Sequence, residues 1–275
     1  MNRISGSWSQ QGGLQPESRR FEQADLDGLR MVREAEREAR VRSLPRVKNE
    51  DLKALQVVGT FRVVNREDLR AGDVQRLIRN GCLRRRTLRH PDQPDNRYEA
   101  VTLTKKGKEV LESRREPNDR QQYWTGTVKP REQAHDMAIH TAYKKEADVI
   151  ERDGGRVKRV VIDCELKSEF AKRMNRSLNG RPPSADEKRA RREEIAREYN
   201  LPIHENRIVI PDFRVEYEDA RGRERTQDHE IVTKHYKGKM MAGKRASGFK
   251  MHRMGRGGTS GASGSAVWDG HHLDI

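Results

Sequence analysis

Hydrophobic and polar positions change their spacing several times along the chain, and each change marks the boundary of a predicted element. Residues 1–20 are polar and rich in Ser, Gln and Gly, which predicts a disordered start. Residues 21–45 favour a charged helix, in which Leu26, Leu29 and Val32 form only a narrow apolar stripe. We expect this helix to pack against the edge of another element.

The next segment, residues 46–116, combines helical spacing with alternation. Leu52, Leu55 and Val58 recur at the three-and-four spacing of a short amphipathic helix. Two further helix starts are predicted at Asn65 and at Gly72-Asp73, and Gly81 predicts a left-handed helix end. The runs "CLRRRTLRH" and "RYEAVTL" predict two strands around the turn-rich "PDQPDN", and "TKKGKEVLES" predicts a closing helix.

This order of three helices, a hairpin and a helix resembles a winged helix-turn-helix. The run "LIRNGCLRRR…RYEAVTLTKKGKEVL" is similar to the helix, glycine, strand, wing and "LTxxG" pattern of many bacterial winged-helix modules. The resemblance implies six arginines that can contact phosphates or groove edges; the alternative is a solvated basic face. These residues are Arg76 and Arg79 on the third helix, and Arg84, Arg85, Arg86 and Arg89 on the wing strand.

A second set of elements follows a polar linker at residues 117–130, which Pro117 and Pro130 bracket. Residues 131–254 begin with a long helix that ends at Gly154-Gly155 and continue with the strand-like run "RVKRVVIDCELK". A helical insertion is predicted at 166–200, and two strands joined by the tight "DARGRE" hairpin come after it. The Gly/Ser-rich segment 255–275 predicts a flexible tail.

Composition points to a polyanionic partner. The chain has 275 residues, of which 32% are hydrophobic and 37% charged, so two domains with small cores are expected. The net charge of +15 favours binding to nucleic acid, because a basic surface releases the counterions condensed on the polymer. No apolar stretch approaches the ~20 residues that a membrane span requires, so a membrane role is not expected.

The two cysteines suggest a reducing compartment. Cys82 and Cys164 lie far apart and in no spacing that would build a zinc site, so we expect buried thiols in the cytoplasm. The N-terminal residues contain no apolar core of a secretory signal, which agrees with that location.

Candidate chemistry rests on acidic residues in the second half of the chain. Glu146 falls within the apolar stripe of the long helix, either as a rim salt bridge or as an acid that faces a metal or basic site. Asp212 follows Pro211 in an apolar stretch, and Glu230 is flanked by apolar residues on the next strand. Carboxylates on neighbouring strands repel each other, and a divalent cation relieves that repulsion. Magnesium held by Asp212 and Glu230 could activate a water molecule against a phosphodiester.

A helix acid, "PD" on one strand and an acid on the next resemble the PD-(D/E)xK nuclease fold. With a winged helix before it, joined through the helix start at His135-Asp136, the chain over residues 50–250 resembles the replication-relaxation family of bacterial plasmids and integrative elements. The resemblance implies Asp212 as the first strand acid, Glu230 as the second and Glu146 as the helix acid.

The sequence departs from this pattern at the lysine. A Glu-x-Lys motif at Glu230 would need Lys at position 232, which is Val232; Lys234 lies two positions further on. Another Glu-x-Lys occurs earlier, as Glu165 to Lys167. Without a lysine that stabilises the transition state, hydrolysis would be slow, so the sequence leaves catalysis open.

The segment after Thr233 is basic. From Lys234 to Gly258 there are eight Lys or Arg residues and no acid, which predicts contacts with the DNA backbone. The candidate contacts here are Lys237, Lys239, Lys244 and Arg245. The run "GKMMAGKR" misses a phosphate-binding loop because Arg245 stands where Ser or Thr is needed.

The sequence therefore predicts an α/β (α+β) protein with a winged helix-turn-helix, a mixed-sheet PD-(D/E)xK-like domain and flexible tails. We expect a DNA-binding protein for replication or mobilisation of a bacterial mobile element, with a nuclease-like domain that either nicks duplex or single-stranded DNA using magnesium or only binds it. The alternatives are a non-catalytic winged-helix regulator and a nucleoprotein assembly factor.

Overall fold

The computed structural model describes residues 16–253 except 91–92, 127, 177–181 and 233–237. Side chains are described for these residues except 16–26, 90, 93–96, 131 and 238–241. Most of the predicted disordered start and the predicted tail at 255–275 lie outside the described residues.

The protein mixes helices and strands, as the composition and periodicity predict. The helices are α1 (Pro16–Arg42), α2 (Asn49–Phe61), α3 (Ala71–Arg79), α4 (Lys105–Ser113), α5 (Pro130–Arg152), α6 (Asp163–Met174), α7 (Ala185–Glu198) and α8 (Gly238–Ala246). The strands are β1 (Val64–Asn65), β2 (Leu83–His90), β3 (Gln93–Leu103), β4 (Arg156–Ile162), β5 (Ile203–His204), β6 (Arg207–Ile208), β7 (Phe213–Glu218), β8 (Glu224–Val232) and β9 (Lys250–Arg253). None of the described helices is long and apolar enough to cross a membrane.

The chain divides into two compact units, residues 1–45 and 46–275. Helix α1 belongs to the first unit, and its side chains Leu29, Met31 and Val32 are exposed.

The first part of the second unit is built around a three-stranded antiparallel sheet in the order β1-β3-β2. Gly81 ends the turn after α3 with a φ of 73°, the left-handed conformation that the sequence predicts. Thr104 caps α4 by accepting a hydrogen bond from the backbone N–H of Gly107. The helix predicted at Asn65 is a single 3₁₀ turn, Arg66–Asp68, because the backbone returns to an extended conformation at Leu69 and Arg70.

The second part contains a four-stranded sheet in the order β4-β7-β8-β9, antiparallel except for the parallel pair β8 and β9. The predicted hairpin is confirmed: β7 and β8 pair from Phe213↔His229 to Glu218↔Glu224, and Gly222 takes a positive φ in the turn. The segment read as a basic DNA-contacting stretch instead includes α8 and the edge strand β9.

Two boundaries differ from the sequence prediction in ways that affect the site. The run "RVKRVVIDCELK" is a strand only to Ile162, and α6 begins at Asp163, whose N–H donates to the carbonyl of Asp212 over 2.9 Å. Asp212 lies directly before β7 instead of in the middle of a strand.

Helices cover both faces of the four-stranded sheet. Val161 packs with Leu166 and Phe170 of α6 and with Ile195 of α7. Helix α5 packs on the other face, where its Glu146 lies beside His229 and His252. Arg214 fixes the C-terminal end of α7 to the sheet by donating to Asp228 and to the carbonyl of Tyr199.

The predicted linker contacts both the first and the second part of this unit. The side chain of Gln121 accepts from the N–H of Val160 and donates to its carbonyl, each over 2.9 Å, at the outer edge of β4. The N–H of Trp124 donates to the carbonyl of Gly59 in α2 over 2.7 Å. These hydrogen bonds hold the linker in place between the first and second parts of the unit.

Candidate active site

The two predicted strand acids lie next to each other. The Asp212 carboxylate accepts a hydrogen bond of 2.7 Å from the N–H of Ile231, the residue after Glu230 on β8. Asp212 is also fixed through its backbone, since its N–H donates to the carbonyl of His229 over 3.0 Å. The loop before β7 therefore brings the carboxylate of Asp212 to the carboxylate of Glu230.

A lysine and a histidine complete this group. Lys244 on α8 forms an ion pair with the fully buried Glu230, and its ammonium also donates to the carbonyl of Ile210 over 3.2 Å. On the other side, Nε2 of His135 on α5 lies 3.3 Å from Oδ2 of Asp212. Asp212, Glu230, Lys244 and His135 are called the carboxylate site below.

The surroundings of the two acids in the carboxylate site shift their pKa values in opposite directions. Burial, and after it the negative charge of Asp212, raise the pKa of Glu230 to about 8. The pKa of Asp212 is lowered despite its burial, by the hydrogen bond and charge of His135 and by the N–H of Ile231. Two carboxylates that repel in a buried site, with different pKa values, are typical of functional sites.

A second group of charges borders the carboxylate site. Arg62, at the end of α2, pairs with Asp136 of α5 over 3.3 Å and with Glu132 over 3.4 Å. Burial is the main cause that raises the pKa of Asp136 to about 7. Arg62 has a φ of 67°, an uncommon conformation for a non-glycine residue, and such strained residues cluster at functional sites.

The other predicted catalytic residues lie elsewhere. Glu165 and Lys167 are on helix α6, where positions two apart do not face each other: Glu165 pairs with Arg159, and Lys167 pairs with Asp163. Glu146 pairs with Lys250 over 2.7 Å beside His229. Because His229 and Glu230 are consecutive on β8, their side chains point to opposite faces of the sheet, so Glu146 is not brought to the carboxylate site.

Among the described residues, Glu146, His229 and His252 form a buried trio whose ligand atoms lie within 4.8 Å of one another. Such a set has the chemistry of a zinc site. However, Nδ1 of His229 already lies 2.9 Å from Nε2 of His252, and both oxygens of Glu146 contact Lys250. The ammonium of Lys250 therefore already pairs with the carboxylate of this trio, and it would repel a bound metal ion.

The predicted wing arginines are divided between two faces of β2. Alternation places Arg84 and Arg86 on one face and Arg85 and Arg89 on the other. Arg85 pairs with Glu99 over 3.4 Å. On α3, Arg79 is exposed, whereas Arg76 is held by Asp51 over 2.8 Å and by Asp73.

A basic cavity of about 420 Å³ lies where the wing meets α4. Its lining includes the four cations Arg84, Arg86, Lys105 and Lys106, together with Thr102, Thr104 and Thr125. Lys105 and Lys106 were not predicted as DNA contacts. Their position at the start of α4, directly after "LT" and next to the wing, is the signal that could have identified them. Hydroxyl and cationic donors on one concave surface are suited to a phosphate group.

The predicted basic contacts near the C-terminus are only partly described. Lys234 and Lys237 lie outside the described residues, as does the side chain of Lys239. Arg245 is exposed, whereas Lys244 is engaged with Glu230. The ion pair between Lys244 and Glu230 was not predicted, because a contact between α8 and β8 leaves no local pattern in the sequence.

The chain was compared with protein-family models, with curated proteins and with solved structures, and none of them matches it. The class of protein is accordingly defined by its own architecture: a mixed α/β chain with a basic three-stranded part and a buried carboxylate–lysine–histidine site.

Proposed function

We propose that the chain is a DNA-binding protein whose carboxylate site hydrolyses a phosphodiester bond with the help of magnesium. The main support for the proposal is that the side chains of Asp212, Glu230 and Lys244 lie close together. The sequence pattern of a PD-(D/E)xK nuclease has two acids and a lysine, and the lysine is missing from position 232. Lys244 of α8 lies beside Glu230 and could serve instead of the missing lysine.

The residues present fit a divalent cation. Burial, and after it the negative charge of Asp212, raises the pKa of Glu230, and a cation held by both carboxylates would remove their repulsion. When bound, magnesium would polarise the phosphodiester and lower the pKa of a bound water molecule.

The other groups have separate roles in this proposal. The ammonium of Lys244 stabilises negative charge that develops on the phosphate, as preorganised cations do in dry sites. His135 contacts Oδ2 of Asp212, the same oxygen that accepts from the N–H of Ile231, and the two contacts together fix the orientation of the carboxylate.

DNA binding is proposed for the first part of the second unit. Its order of elements, α2, β1, a 3₁₀ turn, α3, β2, β3, with β3 central in the sheet, supports a winged helix whose second helix is reduced to one turn. The cations of the basic cavity and the net charge of +15 supply the attraction to phosphates. The resemblance to the replication-relaxation family suggests a role in replication or mobilisation of a mobile element.

A non-catalytic DNA-binding regulator is the second candidate. It is favoured by the complete burial of Glu230 and by its ion pair with Lys244, since both groups satisfy each other without a substrate. In that case the site would serve as a structural ion pair.

A nicking assay distinguishes the two candidates. Supercoiled and single-stranded DNA are incubated with the full chain in magnesium, manganese or chelator, beside Asp212→Asn, Glu230→Gln and Lys244→Met. We expect metal-dependent nicking that each substitution lowers by at least about a hundredfold, with DNA affinity changed by no more than about twofold. Lys53→Met, at an exposed position on α2, is the matched control for loss of one positive charge. Binding by the wild-type chain without nicking in any condition would reject the hydrolase and support the regulator.

A further inference from the structure

A second cavity, of about 360 Å³, lies on the same face of the four-stranded sheet as Glu230. Arg214 of β7 lines this cavity and forms an ion pair with Asp228 of β8, which places Asp228 on that face. Glu230 is two positions further along β8, and side chains two positions apart point to the same face. The cavity and the carboxylate site therefore share one surface.

The walls of this cavity are partly aromatic. Trp124 from the linker and Tyr199 from the end of α7 both contribute to the lining, as do Val161 and Leu166. Tyr199 is positioned by an edge-on contact with Phe170, with ring centroids 5.3 Å apart. Half-buried aromatic rings beside a nucleic-acid site are suited to stacking on bases.

Three side chains of the lining carry buried polar atoms that have no hydrogen-bond partner among the described residues. They are Nε1 of Trp124, Nε of Arg159 and Oε2 of Glu165. Leaving such groups unpaired is unfavourable, so a ligand that pairs with them would bind favourably. Two of the atoms are donors and one is an acceptor.

The cations of the lining are not free to bind a phosphate in this cavity. Arg159 is paired with Glu165 and Glu216, Arg214 with Asp228, and Lys172 with Glu169 over 3.8 Å. The cations are thus neutralised by neighbouring carboxylates. An uncharged group that presents both donors and acceptors fits better.

We propose that this cavity holds one unpaired purine base of the DNA, with guanine as the purine used to test it. This inference rests on the proposed function, and it names the substrate of the carboxylate site as single-stranded or locally unpaired DNA. Guanine presents N–H donors to the free oxygen of Glu165 and acceptors at O6 and N7 to the indole and guanidinium N–H groups. A base reaches such a cavity only when it leaves the stack, and the volume of about 360 Å³ lies at the lower end of the range of about 300–1,000 Å³ for small-molecule sites.

The first test measures the NMR signal of Trp124 while a ligand is added. The full chain is labelled with 5-fluorotryptophan, and the ¹⁹F resonance of Trp124 is assigned among the three tryptophans with Trp124→Phe. We expect dGMP to shift this resonance and deoxyribose 5-phosphate to leave it unchanged. Glu165→Gln should weaken dGMP binding by at least about fivefold, whereas Glu151→Gln, exposed on α5, should not. No shift with dGMP, or an equal shift with the sugar phosphate, would overturn the proposal.

The second test uses DNA. An oligo-dT strand with one central guanine should bind about tenfold more tightly than the same strand with a central abasic site, and Trp124→Phe should reduce this ratio. Thermal unfolding of each variant identifies any that fails to fold, and the dGMP titration of Glu165→Gln then decides alone. Equal affinity for the two strands would contradict a base site.

The results of these tests and of the nicking assay can be told apart. A guanine-dependent shift without nicking would retain the base site and reject the hydrolase. Nicking without such a shift would retain the hydrolase and reject the base site.

Discussion

At the scale of single residues, Asp68 shows how one carboxylate connects the two parts of the second unit. It lies on the 3₁₀ turn and pairs with Lys144 over 2.8 Å and with His140 over 3.3 Å, both on α5. These partners outweigh its burial and lower the pKa of Asp68 to about 2. The ionised form is therefore favoured in the folded chain.

We predict a pH-dependent loss of stability for Asp68→Asn. Because the folded pKa is below the ordinary value of 3.8, the carboxylate stabilises the fold above about pH 4, and this contribution disappears as the pH falls towards 2. The substitution should lower the free energy of unfolding by about 2 kcal/mol at pH 7 and by less than about 0.5 kcal/mol near pH 2. Urea unfolding at both pH values measures this, with Asp148→Asn, exposed on α5, as control. An equal loss at both pH values would show that the pair contributes through packing alone.

At the scale of elements, the base of the wing depends on a close approach between α4 and the start of β2. The hydroxyl of Thr104 donates to the carbonyl of Gly81 over 2.7 Å, and the N–H of Thr104 donates to the carbonyl of Cys82 over 3.0 Å. A Cβ atom at Gly107 would lie only 2.3 Å from the oxygen of Cys82. The glycine of the "LTxxG" pattern is thus required by backbone contact.

Gly107→Ala should destabilise the chain by about 2 kcal/mol or more, because a backbone oxygen cannot move aside as a flexible side chain can. Gly72→Ala is the matched control on α3, where the added Cβ would meet only the side chain of Arg76 at 3.5 Å. There we expect a change of less than about 1 kcal/mol, with either sign. Chemical denaturation of both variants measures the difference. Similar losses would mean that α4 can shift away from the wing.

Local patterns predicted several elements because their causes are local. The hairpin of β7 and β8 turns at "DARGRE" as predicted, and α7 begins with a local capping box formed by Ser184 and Glu187. Other boundaries depend on distant contacts. The apolar run through Ile162 gives no sign that a helix starts at the next residue, and the polar strand β9 forms only because β8 lies beside it.

The same distinction applies to the carboxylate site. Asp212 and Glu230 could be identified because charges among apolar residues need a compensating partner. The partners themselves could not, since His135 and Asp212 are far apart in the sequence, and Lys244 reaches Glu230 from a different element. A histidine-aspartate pair near a helix start was visible in the sequence, but its neighbours were not.

At the scale of the whole molecule, the question is whether DNA affinity comes from the total charge of +15 or from the basic cavity beside the wing. The two explanations predict different salt dependence. Each phosphate contact that is lost should reduce the slope of log K against log salt concentration by about 0.9 for duplex DNA. A loss of general attraction would act much the same wherever the charge is removed.

We therefore predict that Arg84→Gln combined with Arg86→Gln reduces this slope by about 1.8. Arg33→Gln combined with Arg37→Gln, both exposed on α1, removes the same charge and should leave the slope nearly unchanged. Duplex binding is measured by fluorescence anisotropy at several salt concentrations for the full chain and both double variants. Equal reductions in the two double variants would assign the affinity to overall charge, because only a localised set of phosphate contacts makes the position of the arginines matter.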